Sequence, residues 1–435
     1  MAQAAEPPSG TRDFLADDVR RREAAFGTVR EVFERYGFDP LVTPAFERIE
    51  VLTGKYGDEG DKLVFKILRR GEHEASGEAD LALRYDLTVP LARVVSTYGS
   101  QLPSPYKRYA IGPVWRADRP GKGRFREFTQ CDIDIVGSSS ELADAEIIAA
   151  VNDGLVALGV EDFTFEINSR QALFGLLEAY QVPDSLGGQV LITLDKLDKL
   201  KPEQVVAELV ERGVAAETAD ALVADLASGD VGRIRDKLDA SERGKRGLAE
   251  VDRGLELTSS LPAGRVVFTP RMVRGLDYYT GVIFEVSAAG YPGSIASGGR
   301  YDGLVAALGG PDQPACGGSI GLERILSARD AAEASPRGLD VAVTVLGADV
   351  EMARLAGELR AAGLRVGTFL GATRKLAKQL KWANTQHAAF AVLYGPDEQA
   401  AGEITVRDMT TGDQTRVPLS DAVSHLQDAV SHIRG

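Results

Sequence analysis

The sequence predicts an α+β protein, with an antiparallel sheet core and helices, a helical insertion, and a C-terminal α/β domain. Three observations carry this. Short strand patterns between about residues 38 and 136, and again from 266 to 297, run largely one into the next, as in an antiparallel sheet. Strand patterns vanish from Pro183 to about Leu261, where apolar residues keep helical spacing. After Gly338 strand and helix alternate strictly. These changes divide the chain into a core at 1–333, with its insertion at about 183–261, and a last domain at 339–435.

Residues 1–10 form an Ala/Pro/Ser leader, expected to be flexible. Residues 17–36 follow with helical spacing (Val19, Phe26, Val29, Val32, Phe33), stopped by Gly37. Phe38–Pro44 reads as a strand whose proline puts part of it at an edge or break. Strands follow at 63–68, 81–85, 106–116 and 126–136, then a helix at 143–158, a strand at 163–167 and a helix at 170–180. In the insertion, Leu197, Val205, Val206, Leu209 and Val210, then Leu222, Val223 and Leu226, have helical spacing. Strands resume at 266–268, 282–286 and 293–297, and a glycine turn at Gly317–Gly321 leads into a helix from about Leu322. Ala334–Gly338 reads as a linker. Beyond it come strand 341–346, helix 349–362, strand 365–369, helix 374–384 and strand 389–394. The hairpin 403–408/414–418 and a final helix close a small α/β domain.

The length of 435 residues suits about three domains of roughly 150 residues. The formal charge of −14, from 50 basic and 64 acidic residues, argues against nonspecific binding to nucleic acid or anionic membrane. It leaves room for a nucleic-acid partner wherever basic residues gather locally. The two cysteines, Cys131 and Cys316, lie far apart and give neither a disulfide framework nor zinc spacing. No signal peptide or membrane-length apolar run is apparent, so a cytoplasmic protein is expected.

The segment Arg116–Asp134 carries the most chemistry. It reads as a hairpin whose loop holds Arg116, Arg119, Lys122, Arg124 and Arg126, a set suited to polyphosphate because guanidinium forks match phosphate oxygens. Gly121 and Gly123 free the loop backbone beside such a group. Alternation puts Phe128, Gln130, Asp132 and Asp134 on one strand face and Thr129, Cys131, Ile133 and Ile135 on the other, which is apolar enough to face a core. For any one of these charges a solvated surface hairpin is the simpler explanation. The combination, an anion pocket beside a cation pocket, points to an enzyme that joins two substrates.

Other stretches add to this. Arg274–Gly281 offers an arginine, an acid and two tyrosines on a glycine-punctuated turn, either a structural knot or a pocket wall. Ser297–Asp302 has glycines where a ligand or backbone approaches closely. Gly317–Arg324 places Arg324 at a helix start but matches neither a Walker loop nor a dinucleotide fingerprint. Arg84–Thr88 ends a strand with an acid and a hydroxyl, serving as a helix cap or an ammonium-binding pair. The four histidines share no metal spacing and none suits a general base. Chemistry in which a substrate supplies the nucleophile, and the protein supplies positioning and charge, fits this set.

Over nearly its whole length the chain resembles histidyl-tRNA synthetases, a family of class II aminoacyl-tRNA synthetases. Gly37–Pro44, Arg116–Gln130 and Gly318–Arg324 resemble the three class motifs, and Arg274–Tyr279 with Gly298–Gly303 the two histidine-specific ones. The resemblance implies a histidine–tRNA ligase (EC 6.1.1.21) acting through histidyl-adenylate, with ATP as substrate, Mg²⁺ accompanying its phosphates and no protein-ligated metal. It implies a homodimer, an anticodon-binding last domain, and tRNA as partner. By the same resemblance Arg116 holds the α-phosphate and carboxylate, with Arg274 beside the α-phosphate as the other catalytic cation. Arg124 and Arg324 take the distal phosphates, Phe128 stacks on adenine, and Asp118 lies near it. The α-ammonium of histidine falls to Asp86, Thr88 and Gln130, with Leu87 in the same stretch. The imidazole falls between Asp134 and Tyr279, with Tyr278 in the wall. Asp86, Asp118 and Asp134 stand where many bacterial relatives carry glutamate. Arg119 and Lys122 are implied to meet the tRNA acceptor end. The stripe Arg374, Lys378, Lys381 is explained by a solvated helix face.

Three other readings compete: a synthetase-like regulator of histidine biosynthesis, a synthetase-like tRNA sensor, and an ordinary ATP-dependent ligase. Intact Arg274 and Arg324 and the last domain weigh against the first. A sensor is expected to lose its phosphate-binding arginines.

Overall fold

The computed structural model describes residues 5–56, 60–71, 76–121, 123–198, 200–273, 278–291, 293–328 and 338–434. The chain divides into two compact units, 1–330 and 331–435. In the first, strands β1 (Asp39–Pro40), β2 (Phe46–Arg48), β3 (Lys66–Leu68), β4 (Ala79–Leu83), β5 (Tyr106–Trp115), β6 (Glu127–Val136), β7 (Phe163–Ser169), β8 (Val266–Phe268), β9 (Val282–Ala288), β10 (Ala296–Arg300) and β11 (Ala315–Ile320) make two sheets. The larger has eight strands in the order β1-β5-β6-β11-β10-β9-β7-β8. It is antiparallel from β5 through to β7, and its outermost pairs, β1 with β5 and β7 with β8, are parallel. The smaller sheet is β2-β4-β3.

Long hairpins with period-2 patterning dominate this sheet, as the strand run implied. β5 and β6 pair over ten residues each, from Tyr106 opposite Val136 to Trp115 opposite Glu127. Helices Ala16–Arg35 and Glu141–Ala157 cover one face, burying Val29, Val32, Phe33, Ile147, Ile148 and Val151 against Ile133, Ile135 and Cys131. The apolar face of β6 is therefore fixed by burial, and its opposite face is fixed by the pleat. The insertion is helical: Gly187–Leu194, Pro202–Glu211, Ala216–Ser228, Val231–Leu238 and Glu242–Leu257.

Three expectations need correction. The strand expected over 38–44 is only β1, because Pro40 and Pro44 remove ladder donors and confine pairing to the sheet edge. The glycine turn expected at 317–321 is instead mostly strand β11, and helix Leu322–Ala328 starts only after it. Gly317 and Gly318 carry no side-chain pattern, so nothing local marks them as strand. They are needed because neighbouring side chains lie against them: a Cβ on Gly317 would lie 2.1 Å from Asp134 Oδ1, and one on Gly318 2.8 Å from the Phe284 ring. The leader, expected to be flexible to residue 10, is tied to the hairpin at Gly10, whose carbonyl accepts from Arg126 N–H at 2.8 Å.

The second unit holds β12 (Val341–Val343), β13 (Val366–Thr368), β14 (Phe390–Leu393), β15 (Glu403–Asp408) and β16 (Gln414–Pro418), in the order β13-β12-β14-β15-β16. The first three are parallel and the last two complete an antiparallel meander. Helices Asp349–Ala361 and Ala422–Arg434 supply Met352, Leu355, Leu359 and Leu426 to its core. Arg374 precedes helix Leu376–Thr385 instead of lying on it, and pairs with Asp349 at 2.5 Å.

Candidate active site

The face of β5, β6 and β11 turned away from the two covering helices carries the polar residues that the apolar face cannot accept. Register sets their order. Asp134 lies opposite Arg108 on β5 and Gly317 on β11; Asp132 lies opposite Ala110 and Ser319; Gln130 lies opposite Gly112. Arg108 is 0% exposed and Asp134 2%. Arg108 Nη2 is 2.7 Å from Asp134 Oδ2 and donates to the Leu87 carbonyl at 2.9 Å. Tyr301 donates its hydroxyl to Asp134 Oδ1. Burial pushes the Asp134 carboxyl above the usual range, while Arg108 and Tyr301 pull it back.

Gly317 completes this floor. A Cβ there would lie 2.1 Å from Asp134 Oδ1, so the carboxylate rests on bare backbone. Tyr278 packs on Tyr279 at a centroid distance of 4.9 Å and on Tyr301 at 5.8 Å, bringing three phenols around the Asp134 corner. Burial, then the charges of neighbouring groups, raises the Tyr278 phenol well above its ordinary value.

At the other side of this floor Asp86 is buried just before helix Thr88–Tyr98. Its Oδ1 accepts from Val89 N–H at 3.0 Å and from the Tyr56 hydroxyl at 3.1 Å. Its Oδ2 has no hydrogen-bond partner among the described residues. One oxygen thus bonds the first turn of the helix, as the cap reading expected, and the other is left without a partner among the described residues. Gln130 Nε2 donates to Ser319 Oγ at 3.2 Å, and its Oε1 has no hydrogen-bond partner among the described residues. Asp132, named in the sequence only as part of the strand face, is 2% exposed, and its Oδ1 has no hydrogen-bond partner among the described residues. Its pKa is raised to about 7, chiefly by burial.

Arg116 donates from Nε to the Tyr85 carbonyl at 3.1 Å, and its guanidinium stands 4.3 Å from the Tyr85 ring and 5.2 Å from the Phe128 ring. Phe128 is half-buried beside Leu87, Ala110 and Val114. The loop closes through reciprocal backbone bonds between Gly121 and Arg124, with Gly123 at φ +71, a left-handed position that favours glycine. Arg124 pairs with Asp118 at 2.7 Å, and Arg119 is exposed. Arg324 donates to the Ser294 carbonyl. Arg274 and Lys122 lie outside the described residues.

A second tier, unmarked in the sequence, fastens these parts. Glu323 is buried between Arg12 at 2.5 Å and Arg22 at 2.6 Å, and Arg22 also donates to Thr129 Oγ1 at 3.1 Å. Arg12 stacks 3.5 Å over Phe125. The leader, the hairpin base and the helix bearing Arg324 are thereby joined. Arg300 binds Asp144 at 2.5 Å and Asp302 accepts from Ala315 N–H at 2.8 Å, so these two residues of the Ser297–Asp302 motif are structural, while Tyr301 reaches the floor. Arg108 escaped notice because its partner is set by cross-strand register. Among the described residues no cluster of His, Cys, Asp or Glu side chains is arranged to hold a metal ion.

Residues 10–325 match the family model for histidyl-tRNA synthetase, and residues 340–429 the model for an anticodon binding domain. A curated histidine–tRNA ligase of Gloeobacter violaceus is 43% identical, the match covering 95% of this chain and 96% of that protein. One of Cereibacter sphaeroides is 38% identical, covering 98% of each. The crystal structure of a histidyl-tRNA synthetase from a Nostoc species superposes with a TM-score of 0.77 at 30% identity, covering 98% of this chain and 99% of that one.

Proposed function

Because this chain belongs to the histidyl-tRNA synthetase family, it ligates L-histidine to tRNA using ATP, and we propose how its residues divide that work. In the first step a carboxylate oxygen of histidine attacks the α-phosphorus, the bond to the bridging oxygen breaks, and pyrophosphate leaves histidyl-adenylate. In the second, a terminal ribose hydroxyl of the tRNA attacks the acyl carbon, loses its proton, and AMP departs. Negative charge develops on phosphate oxygens in the first step, and fixed cations stabilise it.

Arg116 is assigned the α-phosphate and the histidine carboxylate, with Arg274 beside it. Phe128, whose ring already carries a guanidinium at its face, is assigned the adenine, with Asp118 near it. Arg124 and Arg324 take the distal phosphates, exchanging Asp118 and the Ser294 carbonyl for phosphate oxygens. Asp86, Leu87, Thr88 and Gln130 line the ammonium end. Asp134 and Tyr279 take the imidazole, with Tyr278 as wall. Arg108 and Tyr301 hold Asp134 in one rotamer, so its carboxylate is preorganised before the substrate arrives. Mg²⁺ is assigned to ATP as the counterion of its phosphates.

Arg119 and Lys122 are assigned to the tRNA acceptor end, and the unit from 339 onward to the anticodon. A homodimer is proposed through the Gly37–Pro44 segment that carries β1, where Val42 is 90% exposed. No helix among the described residues is long and apolar enough to cross a membrane, and we place the enzyme in the cytoplasm.

The observation that carries the assignment is the Arg108–Asp134–Tyr301 corner beside unpartnered Asp86 and Gln130 oxygens, a site with buried polar groups at both ends of a small zwitterion. Histidine-dependent exchange of pyrophosphate into ATP tests it. Exchange is expected in the wild type and absent in Arg274→Ala, with histidine binding partly retained. Wild-type-like exchange in that variant defeats the role of Arg274.

A further inference from the structure

Besides Asp134 Oδ2, which is ion-paired with Arg108 at 2.7 Å, three buried oxygens on the floor have no hydrogen-bond partner among the described residues: Asp86 Oδ2, Gln130 Oε1 and Asp132 Oδ1. Burying an acceptor without a donor is costly, and leaving three in one region is uncommon outside ligand sites. They are neighbours. Gln130 and Asp132 share the Ser319 hydroxyl, which accepts from Gln130 Nε2 at 3.2 Å and hydrogen-bonds to the Asp132 carboxyl. Asp132 feels the charge of Asp86, and the Tyr278 phenol feels both carboxylates together with Arg116. Acceptors without donors suit the N–H bonds of a primary ammonium, which carries no acceptor of its own.

We propose that Asp132 is a further acceptor for the α-ammonium of histidine, beside Asp86, Thr88 and Gln130. This rests on the assignment of that end of the site made above. A divalent cation is the poorer occupant, since Arg84, Arg108 and Arg116 all act on these carboxylates. A monovalent, directional donor suits the orphan oxygens better. The arrangement also explains why a second carboxylate stands one pleat from Asp134. The groups facing Asp132 are Arg108 on β5, Asp134 on its own strand, Ser319 on β11, Asp86 and Arg84 from the segment after β4, and Tyr278. Burial raises Asp132 to about 7, with Asp134 and Asp86 adding to the effect and Arg108 and Ser319 opposing it. The ammonium is therefore bound best once that proton has left.

The test compares two inhibitors of exchange: histidinol, which keeps the amine and lacks the carboxylate, and imidazolepropionate, which lacks the amine. Asp132→Asn is expected to weaken histidinol about 10-fold or more while leaving imidazolepropionate and the KM for ATP unchanged. Equal weakening of both inhibitors, or of neither, overturns the proposal. Should the variant fold poorly, the wild type decides. Its preference for the amine over the deamino compound rises several-fold between pH 6 and 8, their shared imidazole cancelling in the ratio; a flat ratio overturns the proposal. Wild-type protein without histidine-dependent exchange would defeat the activity reading instead. Calorimetric binding of the two compounds would then judge Asp132 by itself.

Discussion

Gly317 lies directly opposite Asp134 in the β6–β11 ladder, and a single methyl on it would come within 2.1 Å of the carboxylate oxygen that Tyr301 holds. The main chain of β11 is thus the seat on which Asp134 rests. Gly317→Ala must displace that side chain or part the strands. We expect a loss of about 1–3 kcal/mol in urea unfolding and a histidine KM raised at least tenfold, with the KM for ATP little changed. A variant with wild-type histidine KM would mean the seat is irrelevant to the substrate.

Arg108 and Asp134 are both buried, so removing one partner strands a charge. Arg108→Met is expected to cost on the order of 3–5 kcal/mol by denaturant titration. Asp134→Asn should lose less stability and more histidine activation, because it leaves a neutral acceptor in place. The reverse ranking would show that the pair serves packing alone.

Asp132 makes stability depend on pH. Its folded pKa, about 7, lies above the ordinary carboxyl value, so the folded state holds the proton more tightly than the unfolded one. Its contribution is fully present below the unfolded pKa and is lost as pH rises towards 7. Relative to the wild type, Asp132→Asn should gain nothing at pH 4, gain progressively from pH 4 to 7, and then level off. The total is up to about 4 kcal/mol. Urea titrations across that range measure it, and a difference that stays constant with pH would refute the linkage.

Arg12 fastens the leader to Glu323, the neighbour of Arg324. Arg12→Ala should lower the exchange kcat on the order of 10-fold and raise the KM for ATP, leaving the histidine KM in place, because the misplacement falls on the phosphate side. Loss of histidine affinity instead would place the fault in the floor.

Arg119 and Arg124 are both exposed, and Arg124 is paired with Asp118. Arg119→Ala is expected to spare exchange and slow histidyl transfer to tRNA, measured by single-turnover charging from preformed adenylate. Equal losses in both steps would count against an acceptor-end contact.

The hairpin was legible because period 2 sorts Phe128, Gln130, Asp132 and Asp134 onto one face without any knowledge of neighbours. The strict alternation after residue 338 was legible for the same kind of reason. Arg108 was not, since a one-residue slip in register would have put Lys107 opposite Asp134. Strand β11 was hidden because Gly317 and Gly318 contribute no pattern, their role being to have no side chain. Glu323 sits in the first turn of its helix, where acids are common, and its two arginines, Arg12 and Arg22, come from near the start of the chain, so nothing near residue 323 announces them.

The Arg12–Glu323 link joins positions 311 apart, and β6 finds its neighbour β11 only after the whole insertion has been made. During synthesis the helices of the insertion, built from local contacts, can form early, whereas the catalytic sheet stays open until its last strand emerges. A nascent chain therefore carries the arginine hairpin long before it has the wall that turns it into an active site. Competence arrives late and nearly at once, as the two ends of the first unit are drawn together.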